Sequence, residues 1–291
     1  MALWIAILLG IIQGIFMFLP VSSTAHMVLA EHWLIARGQA VPDPASAEMI
    51  LFNLVVHVGT LVSIVVVFWH SLRRFVGNVL GDAWQWAGHG GRGGLPLFLR
   101  LFLLGMFSVL CTGLLGIGLK TSFEWLFANP SIIAVTLVFT GVVLFWTDRL
   151  SPRKRGLRQT GLGTAAVIGI AQGFALAPGL SRSAMTIVFG LFMGLKRRWA
   201  AEYSFFLAIP TILAATLVQS RDVFQLGGLQ EVSVAALGVG FVVAAVVGIV
   251  SLKIVVWTLY RAQLKVFAFY VWMLAALIVL GVIDMTPVLE H

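Results

Sequence analysis

The residues of this chain that could carry out chemistry fall into two short polar stretches, each inside a long apolar segment. The first is Pro20-Val-Ser-Ser-Thr24, with His26 just beyond it, and the second is Pro178-Gly-Leu-Ser-Arg-Ser183, with Thr186 just beyond it. Hydroxyls, a His and an Arg are costly within a bilayer, so polar residues at this density indicate a binding or catalytic site.

The two stretches look like edited copies of one another. A Gln-Gly pair begins at Gln13 before the first stretch, and another begins at Gln172 before the second. A duplicated apolar segment that Gly and Pro interrupt is typical of a binding site near the membrane midplane, between two repeats. We therefore expect both stretches to line one site.

The chemistry that these residues favour is the binding of an anion. A helix that restarts after Pro20, or after Gly179, points free N–H groups and the positive end of its dipole toward the membrane interior. Arg182 adds a planar guanidinium group that suits phosphate. No Asp or Glu lies near Arg182 in the sequence. A purely structural role stays open for each hydroxyl and for the histidines, because such groups also hydrogen-bond between membrane helices without a ligand.

The composition places these stretches in a membrane protein. The chain is 60% hydrophobic and 10% charged, and its mean hydropathy is +1.03, which predicts a polytopic helical membrane protein. The apolar runs do not alternate with polar residues, which excludes a transmembrane barrel, and a lone Cys111 excludes a disulfide framework. We assign the net charge of +8 to membrane topology and not to nucleic-acid binding.

Six apolar stretches each approach the ~20 residues that a transmembrane helix needs. They are 48–70, 97–119, 130–148, 202–219, 232–252 and 264–283. Two further apolar stretches, 2–34 and 161–194, have polar interruptions, and we predict that each enters the membrane and turns back as a re-entrant helix pair. The expected fold is thus an all-α polytopic membrane protein with six transmembrane helices and two re-entrant pairs.

The order of these elements repeats once along the chain. A re-entrant pair and three spans make up residues 1–150, and the same set makes up residues 151–291. Because three spans is an odd number, the second repeat should be inverted relative to the first, within one integral membrane unit. Placing both termini outside leaves 15 of the 19 basic residues on the cytoplasmic side, as the positive-inside rule requires.

At this point the residues show a family resemblance. The run from Gln13 to His26 resembles the first signature of the bacterial undecaprenyl pyrophosphate phosphatases, of the bacitracin-resistance protein type, and residues 178–186 resemble the second. The likeness extends to His57–Leu61, Glu202–Pro210 and Phe267–Tyr270. It implies a multi-pass protein of the bacterial inner membrane, with both termini on the periplasmic side. Such a protein would remove one phosphate from a polyprenyl (undecaprenyl) diphosphate at the outer face and so recycle the monophosphate lipid carrier for peptidoglycan synthesis.

The resemblance also implies roles for individual residues. Ser23 matches the proposed nucleophile, His26 an acid/base group or alternative nucleophile, and Arg182 the phosphate clamp. The residues expected to bind the substrate phosphates are Gln13, Ser22, Thr24, Ser181, Ser183 and Thr186. The residues expected to contact these groups, without touching the substrate themselves, are Met17, His57, Gln172 and Glu202. The expected partners are a polyprenyl phosphate or diphosphate lipid and the bilayer, with a homodimer left open.

Met17 departs from the family pattern. That pattern has Glu or Gln at the position of Gln13, then three residues, then a Glu where this chain has Met17. In the family this carboxylate is thought to support acid/base chemistry or a divalent cation, and a thioether can do neither. Met17 therefore argues against the Mg²⁺ or Ca²⁺ cofactor and against the hydrolysis that the resemblance implies, and no residue is assigned as a metal ligand.

Different classes of function stay open at this level. The first is a polyprenyl diphosphate phosphatase that uses Ser23, His26 and Arg182. The second is a polyprenyl-phosphate or other lipid-phosphate transporter or flippase, which would use the same anion pocket without hydrolysis, since inverted repeats also suit alternating access. The third is a structural or regulatory membrane protein with a vestigial site.

Overall fold

A computed structural model describes residues 1–43, 46–91, 94–119, 130–177, 179–225 and 233–283 of this protein. In those ranges the chain forms eleven α-helices and one short 3-10 turn at Leu157–Gln159. The helices are α1 (Leu3–Phe16), α2 (Ser23–Ala36), α3 (Ala47–Val67), α4 (Trp69–Gly88), α5 (Leu97–Gly118), α6 (Pro130–Thr147), α7 (Leu162–Phe174), α8 (Arg182–Phe192), α9 (Arg197–Gln225), α10 (Val234–Tyr260) and α11 (Lys265–Val279). Pro178 of the second polar stretch, and the end of the second repeat beyond residue 283, lie outside the described residues.

Four of the described helices are long and apolar enough to cross a membrane. They are Ala47–Val67, Leu97–Gly118, Arg197–Arg221 and Val234–Tyr260, and they correspond to four of the six predicted spans. The other two predicted spans contain α6 and α11, which have 18 and 15 residues and are shorter than the ~20 that a full crossing needs. The protein is thus an all-helical, multi-pass membrane protein in the part that the structure describes.

Each of the two broken apolar stretches folds into a pair of short helices. The first pair, α1 and α2, has 14 residues in each helix. The second pair, α7 and α8, has 13 and 11 residues. At a rise of about 1.5 Å per residue, none of these helices reaches across a hydrocarbon core of about 30 Å.

Pairs of glycines bring the first helix of each broken stretch against a long helix from the other half of the chain. A Cβ at Gly14 of α1 would lie 2.9 Å from the carbonyl oxygen of Ala244 in α10. A Cβ at Gly169 of α7 would lie 2.5 Å from the carbonyl oxygen of Ser108 in α5. Gly10 and Gly173, one turn away on the same helices, make similarly close approaches. Such small residues four apart allow membrane helices to pack backbone against backbone.

Helix α4 is an element that the sequence analysis did not predict. It begins directly after α3, and none of its side chains is buried. Its Asp82 accepts hydrogen bonds from the backbone N–H groups of Phe98 and Leu99, at 2.8 and 3.2 Å, which caps the start of α5. A carboxylate at a helix N-terminus satisfies free donors there. The helix was missed because its polar composition excludes a span and because its cap interaction involves a residue 16 positions away.

Candidate active site

The breaks in the two helix pairs meet at a cavity of about 520 Å³. Its walls come from the end of α1, the start of α2, α3, α5, the end of α7, the start of α8 and α9. Polar side chains line it together with apolar ones. The polar lining residues are Ser23, Thr24, Asn53, His57, Ser181, Arg182, Thr211, Thr216 and Gln219. The two duplicated stretches therefore line the same cavity. Their Gln-Gly pairs begin 159 residues apart, at Gln13 and Gln172.

Ser23 is presented to the cavity by the first turn of α2. The residue before it, Ser22, is the N-cap, and its hydroxyl accepts from the N–H of Ala25 at 3.5 Å. Ser22 has φ of +70°, a conformation that is uncommon and strained for a residue with a Cβ. This strained residue lies in the turn that directly precedes Ser23. Strained backbone of this kind is typically found at functional sites.

Arg182 has the equivalent position on α8. Ser181 is the N-cap of that helix, and its hydroxyl accepts from the N–H of Ala184 at 3.3 Å. Arg182 follows as the first helical residue, just as Ser23 does on α2. The carbonyl of Arg182 accepts from Thr186 at 2.9 Å, and Thr186 shares a second hydrogen bond with Ser204 of α9 at 2.5 Å. Two helix N-termini thus face the cavity, one with a hydroxyl and one with a guanidinium group.

The guanidinium group of Arg182 lies beside a sulfur atom and not beside a carboxylate, which would neutralise its charge. Its Nη2 lies 3.7 Å from Sδ of Met17, and among the described residues no carboxylate lies within 4.0 Å of it. Gln13, which is fully buried, donates from Nε2 to the same sulfur at 3.4 Å, and its Oε1 has no described partner. A thioether is a weak acceptor, so the charge of Arg182 is left for a ligand.

His26 is buried beside the cavity and does not line it. Its Nδ1 donates to the carbonyl of Ser22 at 2.7 Å, and its Nε2 therefore accepts from the hydroxyl of Tyr270 in α11 at 2.8 Å. The ring also stacks on Phe16 at 3.7 Å between centroids. Both ring nitrogens are thus engaged, and one of them holds the strained cap of α2.

His57 of α3, by contrast, lines the cavity with one nitrogen free. Its Nδ1 donates to the carbonyl of Asn53 at 2.7 Å. In that tautomer Nε2 is an acceptor, and no described residue bonds to it. Asn53 also lines the cavity, and its Nδ2 donates at 3.5 Å to Oε1 of Glu31, a buried carboxylate on α2.

Several residues expected in the site support it from behind. Ser183 bonds to the hydroxyl of Ser181 at 3.2 Å and to the carbonyl of Leu19 at 3.5 Å. Gln172 donates from Nε2 to Thr112 at 3.0 Å and to Thr211 at 2.9 Å, which ties α7 to α5 and α9. Neither side chain lines the cavity, and the same is true of Gln13, Ser22 and Thr186. The hydrogen bonds of Ser22 and Ser183 lie at the two helix starts.

Glu202 lies outside this site, contrary to its expected supporting role. Its carboxylate pairs with Arg198 at 3.0 Å, one turn away on α9, and it lines a separate cavity with Lys196 and Trp199. The expectation placed Glu202 inside the predicted span 202–219. The structure begins α9 at Arg197, which places Glu202 in the second turn, among basic residues.

Asn53, Thr211 and Glu31 lie in or next to the site, although no role was assigned to them from the sequence. A signal for Glu31 was present, because it follows Ser23 by eight residues on the same helix and so shares its face. Asn53 precedes His57 by four residues on α3, which places both on one face by the same rule. Nothing local marks Thr211, whose role depends on Gln172, 39 residues away.

The side chains of the cavity do not by themselves make a divalent-cation site. Mg²⁺ and Ca²⁺ prefer carboxylate oxygens, and the polar side chains that line the cavity are hydroxyls, amides, one imidazole and one guanidinium group. In the described ranges no group of three or more His, Cys, Asp and Glu residues is arranged to hold a metal. Glu31 is the carboxylate that comes near the lining, through Asn53.

The chain is similar to known proteins along nearly its whole length. Residues 6–277 match the protein family described as bacitracin resistance protein BacA. The chain is 72% identical over 289 residues to an undecaprenyl-diphosphatase of Alkalilimnicola ehrlichii. The aligned region covers 99% of this chain and 100% of the relative. It is 73% identical over 285 residues to one of Halorhodospira halophila (98% and 99% covered), and 34% identical over 274 residues to one of Moorella thermoacetica (94% and 95%).

Proposed function

Because the chain belongs to the bacitracin resistance protein BacA family, we propose that it hydrolyses undecaprenyl diphosphate to the monophosphate and inorganic phosphate. Full-length relatives that carry the name undecaprenyl-diphosphatase favour this reaction over lipid-phosphate transport and over a vestigial site. The product is the carrier lipid that peptidoglycan synthesis reuses, and the reaction class is hydrolysis of a phosphoanhydride.

One observation carries the proposal: Ser23 and Arg182 occupy the first positions of two helices that face the same cavity. Helix N-termini and a guanidinium group together favour a phosphate group carrying negative charge. A hydroxyl at the opposite helix start is placed to react with that phosphate. Binding and reacting groups thus come from different repeats and meet at one ligand.

The reaction that fits these groups is phosphoryl transfer to Ser23. Its Oγ would attack the terminal phosphorus, while Arg182 and the backbone N–H groups of α2 and α8 neutralise charge on the phosphate oxygens. In-line attack expels the bridging oxygen with the lipid monophosphate. Thr24 and Ser181, which also line the cavity, supply further donors to the phosphates.

The apolar part of the cavity suits the lipid chain next to the diphosphate. Phe16, Leu54, Leu176 and Ile212 line it together with the polar residues. The first isoprene units would bury apolar surface against these side chains at roughly 25 cal/mol per Å². A site with a cationic end and an apolar wall selects an amphiphilic diphosphate over free pyrophosphate.

A divalent cation, if one takes part, would have to use oxygens of the substrate. The lining hydroxyls and amides of the protein are weak ligands for hard cations when no carboxylate joins them. None of the roles assigned above to Ser23 and Arg182 requires such a cation.

The topology proposed here is six crossings and two re-entrant pairs, in inverted repeats of residues 1–150 and 151–291. The packing of α1 on α10 and of α7 on α5 supports it, because the same relation recurs with the two halves exchanged. The segment of Lys154 and Arg155 lies beside Lys196 and Arg197, since Lys196 donates its backbone N–H to the carbonyl of Arg155 at 2.8 Å. This basic end would face the cytoplasm of the inner membrane, with both termini outside.

Phosphate release from undecaprenyl diphosphate by the purified protein in detergent tests the function. The wild type should release one phosphate per lipid, and Ser23→Ala and Arg182→Ala should each abolish release. An inactive wild type, assayed with and without Mg²⁺ or Ca²⁺, would end this proposal. Cross-linking in native membranes would test the homodimer, which stays a prediction.

A further inference from the structure

We propose that His57, and not His26, is the general base that takes the proton from the hydroxyl of Ser23. This inference rests on the proposed phosphatase function and identifies the general base, a role to which the proposed reaction above assigns no residue. A serine hydroxyl is a weak nucleophile until a neighbouring base accepts its proton. Met17, which lines the cavity beside Arg182, is unable to accept one.

Among the residues that line the cavity, one is a candidate for the general base. Its described polar side chains are hydroxyls, amides, the guanidinium group of Arg182 and the imidazole of His57. Of these, only an imidazole both accepts and returns a proton near neutral pH. The hydrogen bond from Nδ1 of His57 to the carbonyl of Asn53, at 2.7 Å, orients the ring and makes Nε2 the free acceptor.

His26 does not have a free nitrogen in this arrangement. The carbonyl of Ser22 accepts a hydrogen bond from its Nδ1–H, and the hydroxyl of Tyr270 donates one to its Nε2. These bonds join the strained cap of α2 to α11, which makes His26 a positioning residue for Ser23. Its ring would have to break the bond to Tyr270 and leave the stack with Phe16 before it could act as a base.

One charged group, Arg182, acts directly on the ring of His57, and a second ionisable group, Glu31, lies one hydrogen bond away from Asn53. Arg182 on α8 shares the cavity with it, and Glu31 on α2 is bonded to Asn53, one turn before His57. Arg182 opposes a positive imidazole until the anionic substrate neutralises it. The main-chain carbonyl of Asn53 accepts from Nδ1 and orients the ring, which makes Asn53 a positioning residue for this base.

The steps balance without a further reactant. In the first, Nε2 of His57 takes the Oγ proton of Ser23, the Oγ–P bond forms, and the bond from the terminal phosphorus to the bridging oxygen breaks. The imidazolium then gives this proton to the bridging oxygen of the departing monophosphate. In the second, neutral His57 takes a proton from water, the water oxygen bonds to phosphorus, and the Oγ–P bond breaks. His57 returns that proton to Oγ, and inorganic phosphate leaves.

The test measures phosphate release by wild type, His57→Ala, His57→Gln and His26→Ala in detergent, each with and without added imidazole. The His57 variants should lose about 10²-fold to 10⁴-fold in kcat, which is the usual contribution of a general base. Imidazole should restore His57→Ala at least tenfold and leave His26→Ala unchanged. Met17→Glu should partly restore His57→Gln, because it puts a carboxylate on the same cavity wall. Thermal unfolding of each variant controls for folding.

The outcomes separate the two proposals. A wild type that releases no phosphate removes the proposed function. An active wild type together with His57→Gln within threefold of it overturns the base role alone. The base role also fails if folded His57 variants are slow but respond neither to imidazole nor to Met17→Glu. Recovery of His26→Ala by imidazole would return the role to His26.

Discussion

The sulfur of Met17 lies 3.7 Å from Nη2 of Arg182, so the guanidinium group that faces the cavity has a thioether beside it and no described carboxylate. A sulfur atom offers little compensation for a positive charge in a low-dielectric site. The same relationship explains two properties of the site. It leaves Arg182 free for an anionic lipid headgroup, and it removes an acid/base group from the wall where Ser23 needs one.

Replacing Arg182 by Lys should weaken catalysis strongly although the charge is kept. A guanidinium group makes paired hydrogen bonds to phosphate, which an ammonium group does not reproduce. We expect a loss of about 10²-fold to 10³-fold in kcat, typical of removing one charge-stabilising donor. Phosphate release from undecaprenyl diphosphate measures it. Arg198→Lys, in the ion pair with Glu202 outside this cavity, is the matched control and should stay within twofold.

Ser23→Ala should abolish phosphate release while substrate binding persists, because the helix starts and Arg182 remain. The variant should therefore bind the lipid diphosphate with a Kd near that of the wild type, as measured by a fluorescent lipid analogue. Ser220→Ala, at a hydroxyl that donates to the carbonyl of Leu217 one turn away and does not line the cavity, is the control. If Ser23→Ala keeps more than about 1% of the wild-type rate of phosphate release, Ser23 is not the nucleophile.

Ser22 offers a test of backbone strain at the cap of α2. Its φ of +70° suits glycine, and glycine costs only a few tenths of a kcal/mol as an N-cap. Ser22→Gly should thus unfold at or above the wild-type temperature. Ser22→Ala keeps the strain and loses the cap, so it should lose about 0.5–2 kcal/mol. Thermal unfolding in detergent compares the two, and equal Tm values would contradict the strained geometry.

The packing of α7 on α5 predicts opposite effects for two glycines of one helix. A Cβ at Gly169 would meet the carbonyl of Ser108 at 2.5 Å, whereas a Cβ at Gly163 would meet nothing within 4 Å. Gly169→Ala should therefore destabilise the protein by about 1–3 kcal/mol. Gly163→Ala should be neutral or stabilising by up to about 1 kcal/mol, because Ala favours a helix. A Tm for Gly169→Ala at or above that of Gly163→Ala would argue against this contact.

Much of the fold follows from local composition. Four of the predicted spans correspond to helices long enough to cross a membrane, since hydropathy over ~20 residues reflects the cost of leaving polar groups in lipid. The positions of the two helix breaks were equally visible, because Pro, Gly and hydroxyl residues interrupt otherwise apolar runs. Helix α4 was not visible, since its polar composition excludes a span and its Asp82 contacts the start of α5 across 16 positions of sequence.

The duplication by itself determined that Ser23 and Arg182 belong to one site, because two copies of one motif in an apolar chain point to a shared centre. Only the tertiary structure decided which histidine is free to act there. The sequence places His26 next to the serines, yet its Nε2 is occupied by Tyr270, 244 residues away. His57 gains its free nitrogen from its position on α3 facing the cavity. Residue type shows which groups can exchange protons, but the neighbours that occupy or free each nitrogen are set by packing.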